Sequence, residues 1–174
     1  RWFLSLWNKV FIMATNLQFI KEESAEGVSS FTITDIFSAT YDVYQVYVRG
    51  NGSQNVGSLS AEFLDSSDAD IAQGAYDYAL IRLDPGGSYS DVNGTGANSF
   101  EYTYPTNSDN DFSALLTVYN PYDSGSYTFC TTQGMSERGN KGIIAAKSTT
   151  SATGMKFYAN QDYTPIVVSV YGVK

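Results

Sequence analysis

Three aspartates in one short segment have the spacing that most readily suggests chemistry in this chain. Asp65, Asp68 and Asp70 stand in the polar stretch DSSDADIAQG, which reads as a loop. Carboxylate oxygens are the ligands that calcium prefers, so these three side chains are a candidate calcium site. The stretch lacks the glycine and the distal glutamate of an EF-hand loop, and a solvated acidic loop without metal is the alternative.

A second acidic segment lies before the centre of the chain. Asp109 and Asp111 stand close to Asn107 and Asn110, and together they form another candidate for a hard cation. Neither segment carries an independent metal signal. No cofactor is expected beyond a calcium ion.

The residue types exclude most catalytic machinery. The chain has no histidine and a single cysteine, Cys130, which removes serine and cysteine triads, imidazole metal sites and disulfides within one chain. A pair of carboxylates could hydrolyse a glycosidic bond, but none of the 18 acidic residues stands in a distinctive setting. The sequence predicts a protein that is not an enzyme, with Cys130 as a small core residue. A carbohydrate-active enzyme is the minority alternative.

Charge is distributed unevenly along the chain. The formal net charge is −8, which disfavours nucleic acid as a partner. Acidic residues dominate from Glu62 to Asp123, where Arg82 is the only basic residue, and basic residues dominate from Arg138 to Lys174. One interpretation is a soluble protein kept apart from its copies by repulsion. The other is that an acidic face of one copy meets a basic face of another copy or of a partner.

The candidate residues must be positioned by short strands. The clearest pair of predicted strands lies between Phe112 and Thr131. Ser113–Tyr119 is an almost unbroken apolar run, which predicts a strand covered on both faces. Asn120 and Pro121 end it, because proline cannot donate to a ladder. Ser126–Thr131 then alternates, with Cys130 on one face and Tyr127 and Phe129 on the other.

Two further hairpins are predicted from neighbouring apolar segments. Asp42–Arg49 is expected to be a central strand that pairs with Ser58–Leu64. Gly142–Lys147 is expected to pair with Ala152–Tyr158 in the same way.

Two loops are expected to carry whatever contacts the protein makes. The segment Ala75–Leu83 alternates and is predicted to be a strand, whereas Asp65–Gly74 and Asp84–Asn98 are rich in turn residues and read as loops. Tyr89 and Tyr122 are candidates for stacking on sugar rings, the alternative being that they pack over a sheet edge.

The pattern of ten or eleven short strands predicts an all-β fold. We expect a two-sheet antiparallel sandwich that is jelly-roll-like, with an immunoglobulin-like sandwich as the alternative. Residues 13–174 are expected to form this single domain. Residues 1–12, which contain both tryptophans, are expected to be a leader outside it, either upstream sequence or a short membrane or capsid anchor.

Four segments resemble a known group of proteins. They are MATNLQFI at residues 13–20, FSATYDVY at 37–44, VYNPYD with SYTF at 118–129, and VSVYGVK at 168–174. Together they are similar to the small virion structural proteins of marine tailed phages, such as those that infect cyanobacteria and pelagic bacteria. The resemblance covers residues 13–174.

The resemblance implies a β-sandwich located in the virion. There it would assemble as a homo-oligomer, a trimer or another closed form, and contact other virion proteins as capsid decoration or as part of a tail fibre. The alternative is a tail-fibre tip that binds a host receptor or a host-surface glycan. The resemblance carries over no catalytic residues. Neither a nucleic acid nor a membrane is expected as a partner.

Overall fold

The computed structural model describes residues 16–52, 58–103 and 111–174, and these residues confirm the all-β prediction. The predicted leader and the side chains of Asn107, Asp109 and Asn110 lie outside this part of the chain. The strands, in chain order, are β1 (Leu17–Ala25), β2 (Val28–Ile33), β3 (Val43–Gly52), β4 (Leu59–Leu64), β5 (Tyr76–Leu83), β6 (Tyr89–Ala97), β7 (Phe100–Thr103), β8 (Asp111–Tyr119), β9 (Thr128–Met135), β10 (Gly139–Ala146) and β11 (Gly154–Val173).

All eleven strands belong to one antiparallel sheet. Nine of them follow the order β6-β5-β10-β9-β8-β3-β11-β4-β7, while β1 and β2 lie off this path and pair with β11. The 20-residue β11 connects its two parts. Its first half, Gly154–Tyr158, pairs with β2 and β4, and its second half, Tyr163–Val173, pairs with β1 and β3. The register shifts where the halves meet, and buried side chains of both parts belong to one hydrophobic core.

The core is built from alternate residues of these strands. On β3 the inward side chains are Tyr44, Val46 and Val48, each fully buried. Each such side chain contributes about 1.5–3 kcal/mol when it leaves water. The other large, fully buried side chains are Ile33, Ile36, Leu59, Phe63, Tyr76, Phe100, Tyr102, Leu116, Met155, Phe157 and Tyr163.

Side chains tie the end of the sheet back to its middle. Thr132 on β9 and Asn140 on β10 both donate to the backbone carbonyl of Tyr102 on β7, at 2.7 and 2.9 Å. Thr103 donates to the Asn140 amide oxygen at 3.0 Å. These buried bonds hold β7 against the inner side of β9 and β10.

The predicted central pair is confirmed, with one correction. β8 and β9 pair antiparallel, and Cys130 is buried on the inward face. The expectation that β8 is covered on both faces is wrong, because Leu116 and Val118 are buried whereas Ser113 and Tyr119 are exposed. Within the described residues no second layer packs on that outer face.

Both of the other predicted hairpins are wrong. β3 pairs with β8 and β11 instead of with β4, and β4 pairs with β11 and β7. β10 pairs with β9 and β5, while Gly154–Tyr158 lies between β2 and β4. Alternation shows which face of a strand is buried, but it says nothing about which strand lies beside it.

The prediction of a loop over Asp84–Asn98 is also wrong for most of its length. Only a turn remains at its start, where the Gly87 amide donates to the Asp84 carbonyl at 2.9 Å. The rest is β6, which pairs along β5 with Leu80 opposite Val92. β6 is the last strand at one end of the sheet order. Its Gly, Asn and Ser residues rarely favour strands, and backbone pairing with β5 holds them in one.

Candidate functional site

Two of the three candidate calcium residues, Asp65 and Asp70, accept hydrogen bonds from their own loop or from Tyr76. One carboxylate oxygen of Asp65 accepts the amides of Ser67 and Ala69, at 2.7 and 3.1 Å. Asp68 adopts a φ of +59°, as the turn requires. Over the described parts of the chain, no three Asp, Glu, Cys or His residues are grouped so that they could hold a metal ion. The calcium site at Asp65, Asp68 and Asp70 stays a prediction.

Asp70 serves to join the loop to the core. Its Oδ1 accepts from the Ala72 amide at 3.0 Å and from the Tyr76 hydroxyl at 2.7 Å. The Tyr76 oxygen in turn accepts the Phe63 amide at 2.8 Å. Burial, followed by the bond to Asp70, raises the pKa of Tyr76 far above its usual value, so it stays a neutral donor.

Asp70 also acts on its acidic neighbour Glu62. Burial raises the pKa of Glu62, and Asp70 adds to that rise, while a hydrogen bond from Tyr158 opposes it. The second oxygen of Asp70 is buried and has no hydrogen-bond partner. The Asp70 carboxylate is therefore held by its own loop and by Tyr76.

Opposite charges from distant parts of the chain meet within one molecule. Arg138 contacts Asp84, and Lys147 contacts Asp77 at 2.8 Å. The pairing of β10 with β5 brings these residues together. The uneven charge distribution is therefore partly neutralised inside a single copy.

The main surface feature is an apolar patch on the outer side of β5, β9 and β10. Its side chains are Ile81, Leu83, Phe129, Met135 and Ile143, which are 53%, 54%, 45%, 71% and 65% exposed. Ile143 lies opposite Thr131 on β9 and Ala79 on β5, and the exposed Lys141 lies on the same face opposite Ile81 and Gln133, so the patch spans three strands and has a cation within it. A groove of about 540 Å³ crosses it next to Tyr119.

Sequence reasoning missed this patch, although a signal was present. The segments AYDYALIRL and GIIAA carry apolar residues at both alternating sets of positions, which indicates either burial on both faces or an outer face that needs a partner. Only the strand order shows that β5, β9 and β10 are neighbours.

The other end of the same outer face carries a different surface, here called the aromatic groove. It is a depression of about 540 Å³ on β1, β3 and the second half of β11. The side chains that define it are Leu17, Glu22, Tyr47, Arg49, Ser169 and Tyr171.

Aromatic rings and a polar cluster lie side by side in the aromatic groove. The Tyr171 ring meets those of Tyr47 and Phe19 edge-on, with centroids 5.7 Å apart in each case. The Ser169 hydroxyl donates to Glu22 at 2.5 Å, and Arg49 lies 3.7 Å from the same carboxylate oxygen. Ser169 is only 8% exposed, so the carboxylate is held by a fixed donor.

A bulge in β1 makes this arrangement possible. Phe19 lies opposite Tyr171 and Glu22 opposite Ser169, although residues three apart on a regular strand point to opposite faces. The register shifts between Phe19 and Lys21, which brings both side chains to the outer face. Nothing in the local sequence marks this bulge.

The tyrosines predicted to stack on sugars do not lie in the aromatic groove. Tyr89 begins β6 and is 79% exposed, whereas Tyr122 follows β8 and is 40% exposed. The Tyr122 carbonyl accepts from the Ser151 hydroxyl at 2.8 Å.

The described residues contain no helix that could pass through a membrane.

Comparisons with known proteins show no family. No family model matches the chain, and no curated protein matches it. Among solved structures it is similar to sucrose-6-phosphate hydrolase from Lactobacillus gasseri, at 14% identity over 90% of this chain, with a TM-score of 0.43. The alginate lyase Aly36B matches 74% of this chain and 69% of its own at 6% identity, with a TM-score of 0.26. The VP2 subviral particle of infectious bursal disease virus matches 88% of this chain and 41% of its own at 10% identity, with a TM-score of 0.18.

The chain spans 28% of the length of the sucrose-6-phosphate hydrolase. At these identities and TM-scores, none of the likenesses carries an argument about family or activity.

Proposed function

We propose that the protein is a non-enzymatic structural component of a phage virion, a capsid decoration or an appendage part, that self-associates through the apolar patch. The observation that carries this proposal is the exposure of five large apolar side chains on three adjacent strands. Surfaces of this kind mark protein–protein contact sites in soluble proteins. The proposed location in a phage virion comes from the resemblance to virion proteins of marine phages.

The size of the patch suits the centre of an interface. Three strands about 4.8 Å apart, each contributing about eight residues at ~3.3 Å, cover on the order of 400 Å². Burying that area gives at most roughly 10 kcal/mol before the costs of association are subtracted, because the polar Gln133 and Lys141 lie on the same face. Stable complexes bury about 800 Å² per partner, so we expect the surrounding polar residues to complete the contact.

The finer architecture is part of the same proposal. We infer a two-sheet sandwich related to the jelly roll, in which β2, the first half of β11, β4 and β7 cover the inner face of the remaining strands. The support is that β11 pairs with different strands in its two halves and that one continuous core lies between them.

A receptor- or glycan-binding tip is the second candidate function, and the aromatic groove favours it. Of the two loops first expected to make such contacts, Asp65–Gly74 is a loop, and Asp84–Asn98 is mostly strand β6. A host-surface contact would then be made by the sheet itself.

The mass of the full chain in solution, measured by light scattering across a range of concentrations, tests self-association. We expect a trimer or another closed oligomer for the wild type, and a shift toward monomer by at least tenfold in concentration for Ile143→Asp, because a buried unpaired charge costs more than about 1.4 kcal/mol. Ser24→Asp adds the same charge to the exposed outer position of β1 and should leave the mass unchanged.

A wild-type monomer at every concentration would overturn the proposed role of the patch, as would an oligomer that Ile143→Asp leaves intact. Repeating the wild-type measurement with calcium tests the predicted ion. Copy number per particle then separates decoration, which needs hundreds of copies, from a fibre tip, which needs tens or fewer.

A further inference from the structure

We propose that the aromatic groove binds a neutral saccharide. The site consists of Tyr47 and Tyr171 as ring surfaces and of Glu22, Arg49 and Ser169 as polar partners. This inference rests on the second candidate function, the glycan-binding tip, and uses no residue of the apolar patch. It places sugar contact on the sheet face formed by β1, β3 and β11.

The shape of the groove suits a ligand of this size. Its volume of about 540 Å³ lies within the range of about 300–1,000 Å³ that small-molecule sites occupy. It is an open depression on a rigid sheet, so part of a longer chain of sugar units could continue past its ends.

The rings provide an apolar surface beside polar groups. A sugar ring presents C–H bonds on its faces and hydroxyls around its rim, so it needs a flat apolar surface flanked by donors and acceptors. Tyr47 is 38% exposed, and its hydroxyl donates to the Gln45 amide oxygen at 3.1 Å, which fixes the ring. The edge-on contact between Tyr47 and Tyr171 holds the two rings at a defined angle.

The polar cluster matches the rim of a sugar. A carboxylate accepts hydrogen bonds from two neighbouring hydroxyls, and a guanidinium donates to oxygens through a planar fork. Glu22 is oriented by the buried Ser169, while Arg49 lies 3.7 Å away, too far for a short charge-assisted bond. A ligand hydroxyl that accepts from Arg49 and donates to Glu22 would complete the cluster.

Charge balance points to a neutral ligand. Glu22 and Arg49 cancel each other, so an anionic or cationic ligand would meet one repelling partner for each attracting one. An apolar protein partner is disfavoured, since covering this ion pair without new hydrogen bonds would carry a desolvation cost. The hydroxyls of a saccharide would replace the hydrogen bonds to water that this ion pair loses when it is covered.

The test uses the full chain on a printed array of neutral oligosaccharides built from glucose, galactose, mannose and N-acetylglucosamine. We expect the wild type to retain at least one of these glycans. Titration calorimetry with that glycan should show at least a tenfold loss of affinity for Tyr171→Ala. Glu22→Gln keeps the shape of the side chain but removes the carboxylate charge. It should lower the affinity for the glycan by a similar factor.

Ile143→Asp is the matched control. It lies in the apolar patch, so it should bind the glycan as the wild type does even where it changes the oligomer. A thermal melt of each variant separates loss of binding from loss of folding. A wild type that retains no glycan on the array would overturn the proposal, and so would binding that neither groove variant weakens. Either result leaves the solution-mass test of the apolar patch unaffected.

Discussion

The two ends of one outer sheet face are built on the same backbone and carry opposite chemistry. Around Ile143 most of the large outward side chains are apolar, with Lys141 and Thr131 among them, and the ion pair of Asp77 with Lys147 lies at the edge. Around Ser169 the outward side chains pair rings with a carboxylate and a guanidinium. Both ends cover the same continuous core.

This difference shows how the two faces of each strand divide their roles. Most inward residues are apolar, since they must leave water together, and the buried polar side chains of Thr132 and Asn140 donate hydrogen bonds to the Tyr102 carbonyl. Outward residues are free of that requirement, so their clustering reports what the surface contacts. One cluster fits a protein partner, and the other fits a polar ligand.

The largest expected effect is a difference in stability between substitutions on the inward and the outward face of β8. This strand lies between the apolar patch and the aromatic groove. Leu116→Ala removes a fully buried side chain and should lower the free energy of unfolding by about 2–5 kcal/mol. Leu115→Ala, on the partly exposed outer face, should cost about 1 kcal/mol or less. Urea unfolding at concentrations where the chain is monomeric measures both. Equal losses would show that the outer face is packed as tightly as the core.

A smaller effect concerns the thiol that lies beneath the apolar patch. Phe129 is 45% exposed, whereas its neighbour Cys130 is 2% exposed, and burial raises the pKa of the Cys130 thiol well above its usual value. Iodoacetamide should react with native Cys130 on the order of 100-fold more slowly than with a free cysteine, because a buried neutral thiol is a poor nucleophile. Mass spectrometry follows the adduct.

The control for that experiment is the chain unfolded in urea, in which Cys130 should react at the rate of a free thiol. Phe129→Ala should keep the protection, since it changes only the outer face. Rapid labelling of the native wild type would contradict the division between the two faces of β9.

The smallest effect is electrostatic and lies at the edge of the apolar patch. The bond from Lys147 at 2.8 Å, followed by one from the Gly96 amide at 3.0 Å, lowers the pKa of Asp77 below its usual range. A carboxyl whose pKa is depressed by folding stabilises the protein above its unfolded pKa, near 3.9, and loses that contribution as the pH falls through the folded pKa.

A carboxyl-carbon NMR titration should therefore place the midpoint of Asp77 below about 3.9 in the wild type and move it upward in Lys147→Gln. Asp91→Asn removes a charge from β6 and keeps the Asp77–Lys147 pair, so the midpoint should stay low. A midpoint that Lys147→Gln leaves unchanged would mean that the ion pair does not form at this edge.

Sequence reasoning located features that depend on a few neighbouring residues. The break at Asn120 and Pro121, the alternation that buries Cys130 and the strand within Ala75–Leu83 are all present. Strand β6 was missed because its Gly, Asn and Ser residues signal turns, and only its pairing with β5 makes it a strand.

The candidate sites depended on information that no local pattern contains. The acidic loop was visible, but the two surfaces were not, because their residues come from distant segments. In the aromatic groove, Glu22 and Ser169 are 147 positions apart and meet through the pairing of β1 with β11.

The amino-acid sequence by itself determined that this chain forms strands and which side of many of them enters the core. Those properties follow from side-chain alternation and turn residues, which act over a few positions. The tertiary structure decided which strands are neighbours, where β1 bulges, and therefore which outward residues gather into the apolar patch and the aromatic groove. Each strand edge can pair with many partners, and the choice is made by burying all the inward faces at once.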